Sequence, residues 1–330
     1  MCECEHLTHV QQLATQHRQP EGPAHTTALS LVRFSCQATA LRSLTSKAGT
    51  TSTGSTSGKA GAPTAWQRYG NGVRQGERLL ASSFGAAAAA YAEHRPDYAQ
   101  AAVRWGLEFA PGPRVLDLGA GTGKLTAVLV ALGADVIAVE PDPAMLAELR
   151  QALPTVYALT GSAEAIPLPD ASVDAVLAGH ALHWFDMDVA GAEISRVLAP
   201  GGVLAGLWNV FDTRVGWVAE LERVGGGAAI GARDTLSSWR TETADLHLPN
   251  NGLAAHFGSP EQAEFPHGQS RTADSLVATF ATKAGLLVIP KQEQEATLDR
   301  IRSFLASTPE TAEGEFTLPM LTGVLRVGRL

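Results

Sequence analysis

A doubly wound, mostly parallel α/β sheet is the fold this sequence predicts, and three observations predict it. Short apolar runs alternate with helix-length segments from residue 114 to residue 208. The first run ends in closely spaced glycines, Gly119, Gly121 and Gly123. Helical segments are closed by Gly133 and by Pro200-Gly201-Gly202. Strands that alternate with helices of roughly ten residues pair in parallel through right-handed crossovers, because only that hand packs the helix back on a twisted sheet.

Each element has its own local signal. Alanines 86–90 are strong helix formers, so folded structure is expected to begin near Ala81. Pro96 suits the first turn of a second helix over 97–109, which Pro111-Gly112-Pro113 stops. Residues 114–118 read as a buried strand and 124–132 as a helix. A strand over 135–140 and a helix over 143–153, with Pro143 at its start, come next. Strands over 156–159 and 173–178, a helix over 189–198 and a strand over 203–208 complete the alternation. After Asn209 the rhythm breaks: 217–224, 273–285 and 292–307 read as helices, 261–266 and 315–327 as strands, and 241–258 as irregular. These are expected as insertions in one domain, residues 80–330, with its core at 80–210 and a cap region at 211–330.

Residues 1–79 have another character. No acidic residue lies between Glu21 and Glu77, and residues 22–79 hold 16 Ser and Thr. Such a segment buries too little apolar surface to offset its ordering entropy, so 1–79 is expected to be a disordered N-terminal extension. Glu3, Glu5 and Glu21 argue against a transit peptide. Cys2, Cys4, His6 and His9 lack a second pair at zinc-site spacing, so no metal is expected.

Composition narrows the function. The 330 residues are 45% hydrophobic and 18% charged, which suits a globular protein with a sizeable core. No apolar run approaches the roughly 18 residues of a membrane-spanning helix, so no membrane partner is expected. Of 25 basic and 33 acidic residues, 8 and 4 lie in 1–79, leaving 17 against 29 in the rest. That acidic remainder repels a phosphate backbone, which argues against a nucleic-acid partner. The three cysteines, Cys2, Cys4 and Cys36, leave the rest of the chain without disulfides; a reducing, cytoplasmic location is expected. No feature specifies an oligomeric state.

The chemistry sits in Val115-Leu116-Asp117-Leu118-Gly119-Ala120-Gly121-Thr122-Gly123. Glycines between a strand and a helix let a ligand approach the backbone at the carboxyl edge of the sheet. A dinucleotide fingerprint would need glycine where Lys124 stands, and a phosphate loop would need Ser or Thr where Leu125 stands. Asp117 can accept from an ammonium group but would repel a pyrophosphate. Glu140, ending the second strand about 20 residues on, stands where an acid takes ribose hydroxyls. An amine plus a ribose, without phosphate, points to S-adenosylmethionine.

The segment 117–123 resembles the first motif of class I S-adenosylmethionine-dependent methyltransferases. The resemblance continues in order through Glu140-Pro141-Asp142, Gly161-Ser162-Ala163-Glu164, Ser172-Val173-Asp174-Ala175-Val176 and Leu198-Ala199-Pro200-Gly201-Gly202. It covers residues 80–210 and is closest to the small-molecule branch called methyltransferase type 11. It implies that Asp117, Gly119, Ala120, Gly121 and Gly123 hold the methionine end of S-adenosylmethionine, Glu140 the ribose, and Pro141 one face of the adenine. Ser162, Ala163 and Glu164 would border the adenine edge.

Gly179-His180-Ala181-Leu182-His183-Trp184-Phe185 comes after the fourth strand, where open α/β sheets place ligands. His180 or His183 can take a proton from an acceptor, or can simply pack and order the loop. Tyr91, Arg95 and Tyr98 resemble the N-terminal cap of related methyltransferases; Arg95 suits a substrate carboxylate or an ordinary surface position. The Pro-Pro-aromatic motif of DNA amino-methyltransferases is absent after the fourth strand. The expected function is methyl transfer to a small-molecule substrate, at an oxygen or carboxyl group. The alternatives are a non-catalytic S-adenosylmethionine-binding module and a nicotinamide dehydrogenase, the latter disfavoured by Lys124 and Asp117.

Overall fold

The computed structural model describes residues 85–231, 234–244 and 257–330. The extension expected at 1–79 lies outside them, as do residues 245–256 of the segment expected to be irregular. In chain order the helices and strands are α1 (Ala88–His94), α2 (Gln100–Leu107), β1 (Arg114–Leu118), α3 (Lys124–Ala131), β2 (Asp135–Glu140), α4 (Pro143–Ala152), β3 (Tyr157–Thr160), β4 (Val173–Gly179), α5 (Met187–Val197) and β5 (Leu198–Phe211). After these come α6 (Gly216–Ala229), α7 (Leu236–Ala244), β6 (Glu261–Arg271), α8 (Ala273–Ala281), α9 (Ala284–Leu287), α10 (Lys291–Ser307) and β7 (Phe316–Gly328).

The strands form one sheet in the order β3-β2-β1-β4-β5-β7-β6. The first five are parallel, as expected, whereas β7 runs antiparallel between β5 and β6. Order reverses between β1 and β4, which is where a doubly wound sheet opens its crevice. Arg114 locks that junction: its Nη2 and Nε donate to the two Asp174 oxygens at 2.7 and 2.9 Å, and its backbone N–H to Oδ2 at 3.0 Å. These bonds hold the Asp174 carboxyl below its ordinary range. A side chain at Gly112 would come within 2.4 Å of the same carboxylate, so the stop before β1 has to be glycine.

Both faces of the central strands are buried. Leu116, Leu118 and Val176 pack with Ile194 and Val197 of α5 on one side. Val115, Leu177 and Leu207 pack with Ala102, Val103, Leu125 and Leu129 on the other. A third cluster joins Phe211, Leu221, Phe280, Ile301, Leu305 and Met320 and seats the last helices against the far end of β5 and β7.

Several boundaries differ from expectation, each for a tertiary reason. The second helix starts at Gln100, because Asn209 Nδ2 takes the carbonyls of Pro96 and Asp97 at 3.3 and 3.1 Å and ties that turn to β5. Strand β5 runs on to Phe211 because it pairs with β7 from Val203↔Gly328 to Phe211↔Met320. The helix expected to end at 224 continues to Ala229 across a kink at Gly226. The helix expected over 273–285 breaks at Thr282 and Lys283, two residues that matter to the site.

Candidate active site

A cavity of about 410 Å³ opens at the carboxyl edge of the sheet, over the ends of β1 and β4. Its floor on the β1 side is the glycine turn. Gly119 sits at φ +70°, and a Cβ there would lie 2.7 Å from the Cβ of Ala181, so the close approach of the two loops requires glycine. Gly121, at φ +56°, would meet nothing within 4 Å; its backbone faces open space. Across it stands Glu140, which is 7% exposed. Its Oε2 accepts from Gly121 N–H and its Oε1 from Asp142 N–H, both at 2.8 Å. Burial raises its pKa while those two bonds oppose the rise.

Of the residues expected to hold a cofactor, Gly119, Gly121, Glu140, Pro141, Ser162, Ala163 and Glu164 line this cavity. Glu164 also accepts from Asp186 N–H at 2.9 Å, joining the loop after β3 to the one after β4. Asp117, Ala120 and Gly123 do not line it. Side chains alternate along a strand, and Asp117 turns toward α3, where its Oδ2 accepts from Thr126 Oγ1 at 2.6 Å. The carboxyl is fully buried, its Oδ1 has no hydrogen-bond partner, and burial pushes it up to about 7.

His180 and His183 both border the cavity, but in each ring one nitrogen is engaged by a donor of the protein. His180 sits at φ +52°, an unusual conformation for a side-chain-bearing residue. Its Nε2 accepts from Asn209 N–H at 2.8 Å. Burial first, then the charges of Lys283 and Arg95, push its pKa down to about 3, so the ring is neutral with its proton on Nδ1. His183 Nδ1 accepts from Trp208 Nε1–H at 3.2 Å, and its ring packs on Trp184. In both rings the lone pair that a general base needs is already taken by a structural donor. This geometry opposes the base role that position alone suggested.

The far wall holds residues that sequence reasoning missed. Lys283, between α8 and α9, pairs with Asp234, and both are largely buried. Burial, with Arg95 nearby, draws the Lys283 ammonium down to about 8, whereas Asp234 is held below its ordinary value by the ammonium despite its burial. Both are ionised at neutral pH. Neither lies in a motif; a lone lysine at a helix end gives no local signal. Arg95, singled out only as a candidate, joins them in the wall.

The methyltransferase-domain family matches residues 116–206. An uncharacterised methyltransferase of Mycobacterium tuberculosis is 41% identical over 250 residues, covering 76% of this chain and 96% of its own. A solved protein of Anaeromyxobacter dehalogenans, proposed to be a type II methyltransferase, shares 29% identity at a TM-score of 0.51, covering 71% of this chain and 97% of its own. A malonyl-[acyl-carrier protein] O-methyltransferase of Methylococcus capsulatus is 36% identical over 157 residues, covering 43% of this chain and 57% of its own.

Proposed function

The chain belongs to the class I S-adenosylmethionine-dependent methyltransferases, in the type 11 branch, and we propose that it methylates an oxygen of a small-molecule acceptor. The observation that carries this reading is one cavity with two chemically different ends. One end is the glycine turn with Glu140; the other is the wall of Arg95, Lys283 and Asp234.

The residues fit the cofactor. Gly121 leaves open space above the turn, Glu140 presents a buried carboxylate to ribose hydroxyls, and Pro141 and Ala163 offer apolar surface to an adenine. Asp117, buried beneath the turn and outside the cavity lining, holds the turn against α3 through Thr126 and does not touch the ligand. When bound, S-adenosylmethionine supplies a sulfonium methyl: its carbon–sulfur bond breaks with the electron pair passing to sulfur as a bond to the acceptor oxygen forms. The chain's own contribution is alignment and exclusion of water. Positioning of nucleophile and electrophile accounts for a large share of the barrier in such displacements.

His180 acts here as a donor from Nδ1–H that orients the acceptor, and His183, bonded by Trp208 and packed on Trp184, shapes the loop after β4. With neither ring available as a base, an acceptor that is already anionic suits the site best. The partial similarity to an enzyme named as an O-methyltransferase agrees with an oxygen acceptor. No described helix is long and apolar enough to cross a membrane; the cytoplasmic location remains part of this proposal.

The test is incubation with methyl-labelled cofactor and a fractionated pool of small metabolites. Label transferred to an oxygen supports the reading. Label on nitrogen or carbon, or a folded protein that binds neither S-adenosylmethionine nor its demethylated product, overturns it.

A further inference from the structure

Two cations meet at the acceptor end of the cavity although they are 188 positions apart in the sequence. Thr282 brings them together. Arg95 Nε donates to Thr282 Oγ1 at 3.0 Å and Nη2 to Thr282 O at 3.1 Å, and Lys283 is the next residue. Thr279 Oγ1 holds the neighbouring His94 carbonyl at 2.9 Å, so the segment after α1 is fastened to the end of α8. The guanidinium also covers the Tyr91 ring at 4.6 Å. These contacts use Nε and Nη2; among the described residues Nη1 has no hydrogen bond, and no carboxylate lies within ion-pair reach of Arg95.

Asp234 is the carboxylate beside Lys283 in the same wall, and it is committed to that lysine. His180 is neutral. The charged groups at this end are therefore two cations and one anion. Lys283 is balanced by Asp234, so half-buried Arg95 is the cation left without a carboxylate, and an anion in the cavity can complete it. Its planar, permanently charged fork suits Arg95 to a carboxylate.

We propose that Arg95, backed by the Lys283–Asp234 pair, forms an anion subsite that selects small organic carboxylates as acceptors and holds their carboxylate group. This rests on the methyltransferase reading and adds the substrate class to it. The same recognition serves two kinds of acceptor: one methylated on the held carboxylate, and one anchored by it while another oxygen reacts.

The experiment uses the full chain loaded with S-adenosylhomocysteine and calorimetric titration with benzoate and succinate, each against its neutral amide. The carboxylates are expected to bind at least about tenfold tighter than benzamide and succinamide. Arg95→Gln is expected to abolish that preference while leaving S-adenosylhomocysteine affinity within about twofold, and Arg95→Lys to restore part of it. The acid–amide comparison on the unmodified protein stands even if Arg95→Gln does not fold. Equal binding of acid and amide, no binding of either acid, or a preference that survives in folded Arg95→Gln overturns the subsite. Failure to bind S-adenosylhomocysteine is a different result and removes the cofactor reading beneath it. Labelled turnover then separates the two acceptor kinds: a base-labile methyl ester marks methylation of a carboxylate, and a base-stable product marks a carboxylate used as anchor.

Discussion

Replacing Asp117 by Asn isolates a single buried charge. The carboxyl is completely buried, takes one hydrogen bond from Thr126 and leaves Oδ1 unpartnered, and burial pushes its pKa up from 3.8 to about 7. Between those two values the folded state holds the proton and the unfolded chain has lost it, so stability falls as pH rises. Linkage makes the loss from this group about 4 kcal/mol by pH 8, with about 2.5 kcal/mol of it accruing between pH 5 and pH 8. Asn keeps an acceptor for Thr126 Oγ1–H and carries no proton to lose. Urea unfolding of the cofactor-free protein and of Asp117→Asn at pH 5, 6, 7 and 8 reads the effect as a difference in which other groups cancel. The variant is expected to gain about 2.5 kcal/mol relative to the parent across that range. A difference that stays constant with pH would refute the burial argument.

Three other perturbations probe the site. Glu140→Ala removes the carboxylate that accepts from Gly121 and Asp142 and faces the cavity; calorimetry should show S-adenosylhomocysteine binding weaker by about 1–3 kcal/mol, and unchanged affinity would remove Glu140 from the ribose site. His180 is already neutral above about pH 3, so the rate should show no step from this ring near pH 6.5; a step there that vanishes in His180→Asn would restore the base role. Gly179→Ala would place a methyl 2.5 Å from Tyr98 Oη and 2.8 Å from Cζ, and the buried ring has little room to yield. A loss of about 1–3 kcal/mol in denaturant unfolding is expected, and a neutral change would mean that the α2 side of the cavity is looser than its packing indicates.

The sequence by itself determined the parallel half of the sheet, the glycine turn at Gly119 and Gly121, the acidic strand end at Glu140 and the loop at 162–164. Each is a local signal: an apolar run of strand length, glycines at fixed spacing, an acid at a set distance downstream. Even the residues around His180 were legible, since the loop after a central strand in such a fold faces its ligand. Only the tertiary structure decided the rest. Strand β5 outran its apolar core because β7 came to lie beside it, and β6 ran past its expected end at 266 to Arg271 by pairing with β7. Asp117 turned beneath the loop because α3 covers that face and Thr126 meets it there. His180 lost its free lone pair to the backbone of Asn209, a contact no spacing rule records. Asp234 and Lys283 carry no motif, and the cap segment that holds Arg95 does not reveal its partners, because their chemistry arises from a meeting of three distant segments. Periodicity reports what a residue's neighbours in the chain impose. The charge, protonation and direction of a side chain are imposed by neighbours in space, and those exist only once the chain has folded.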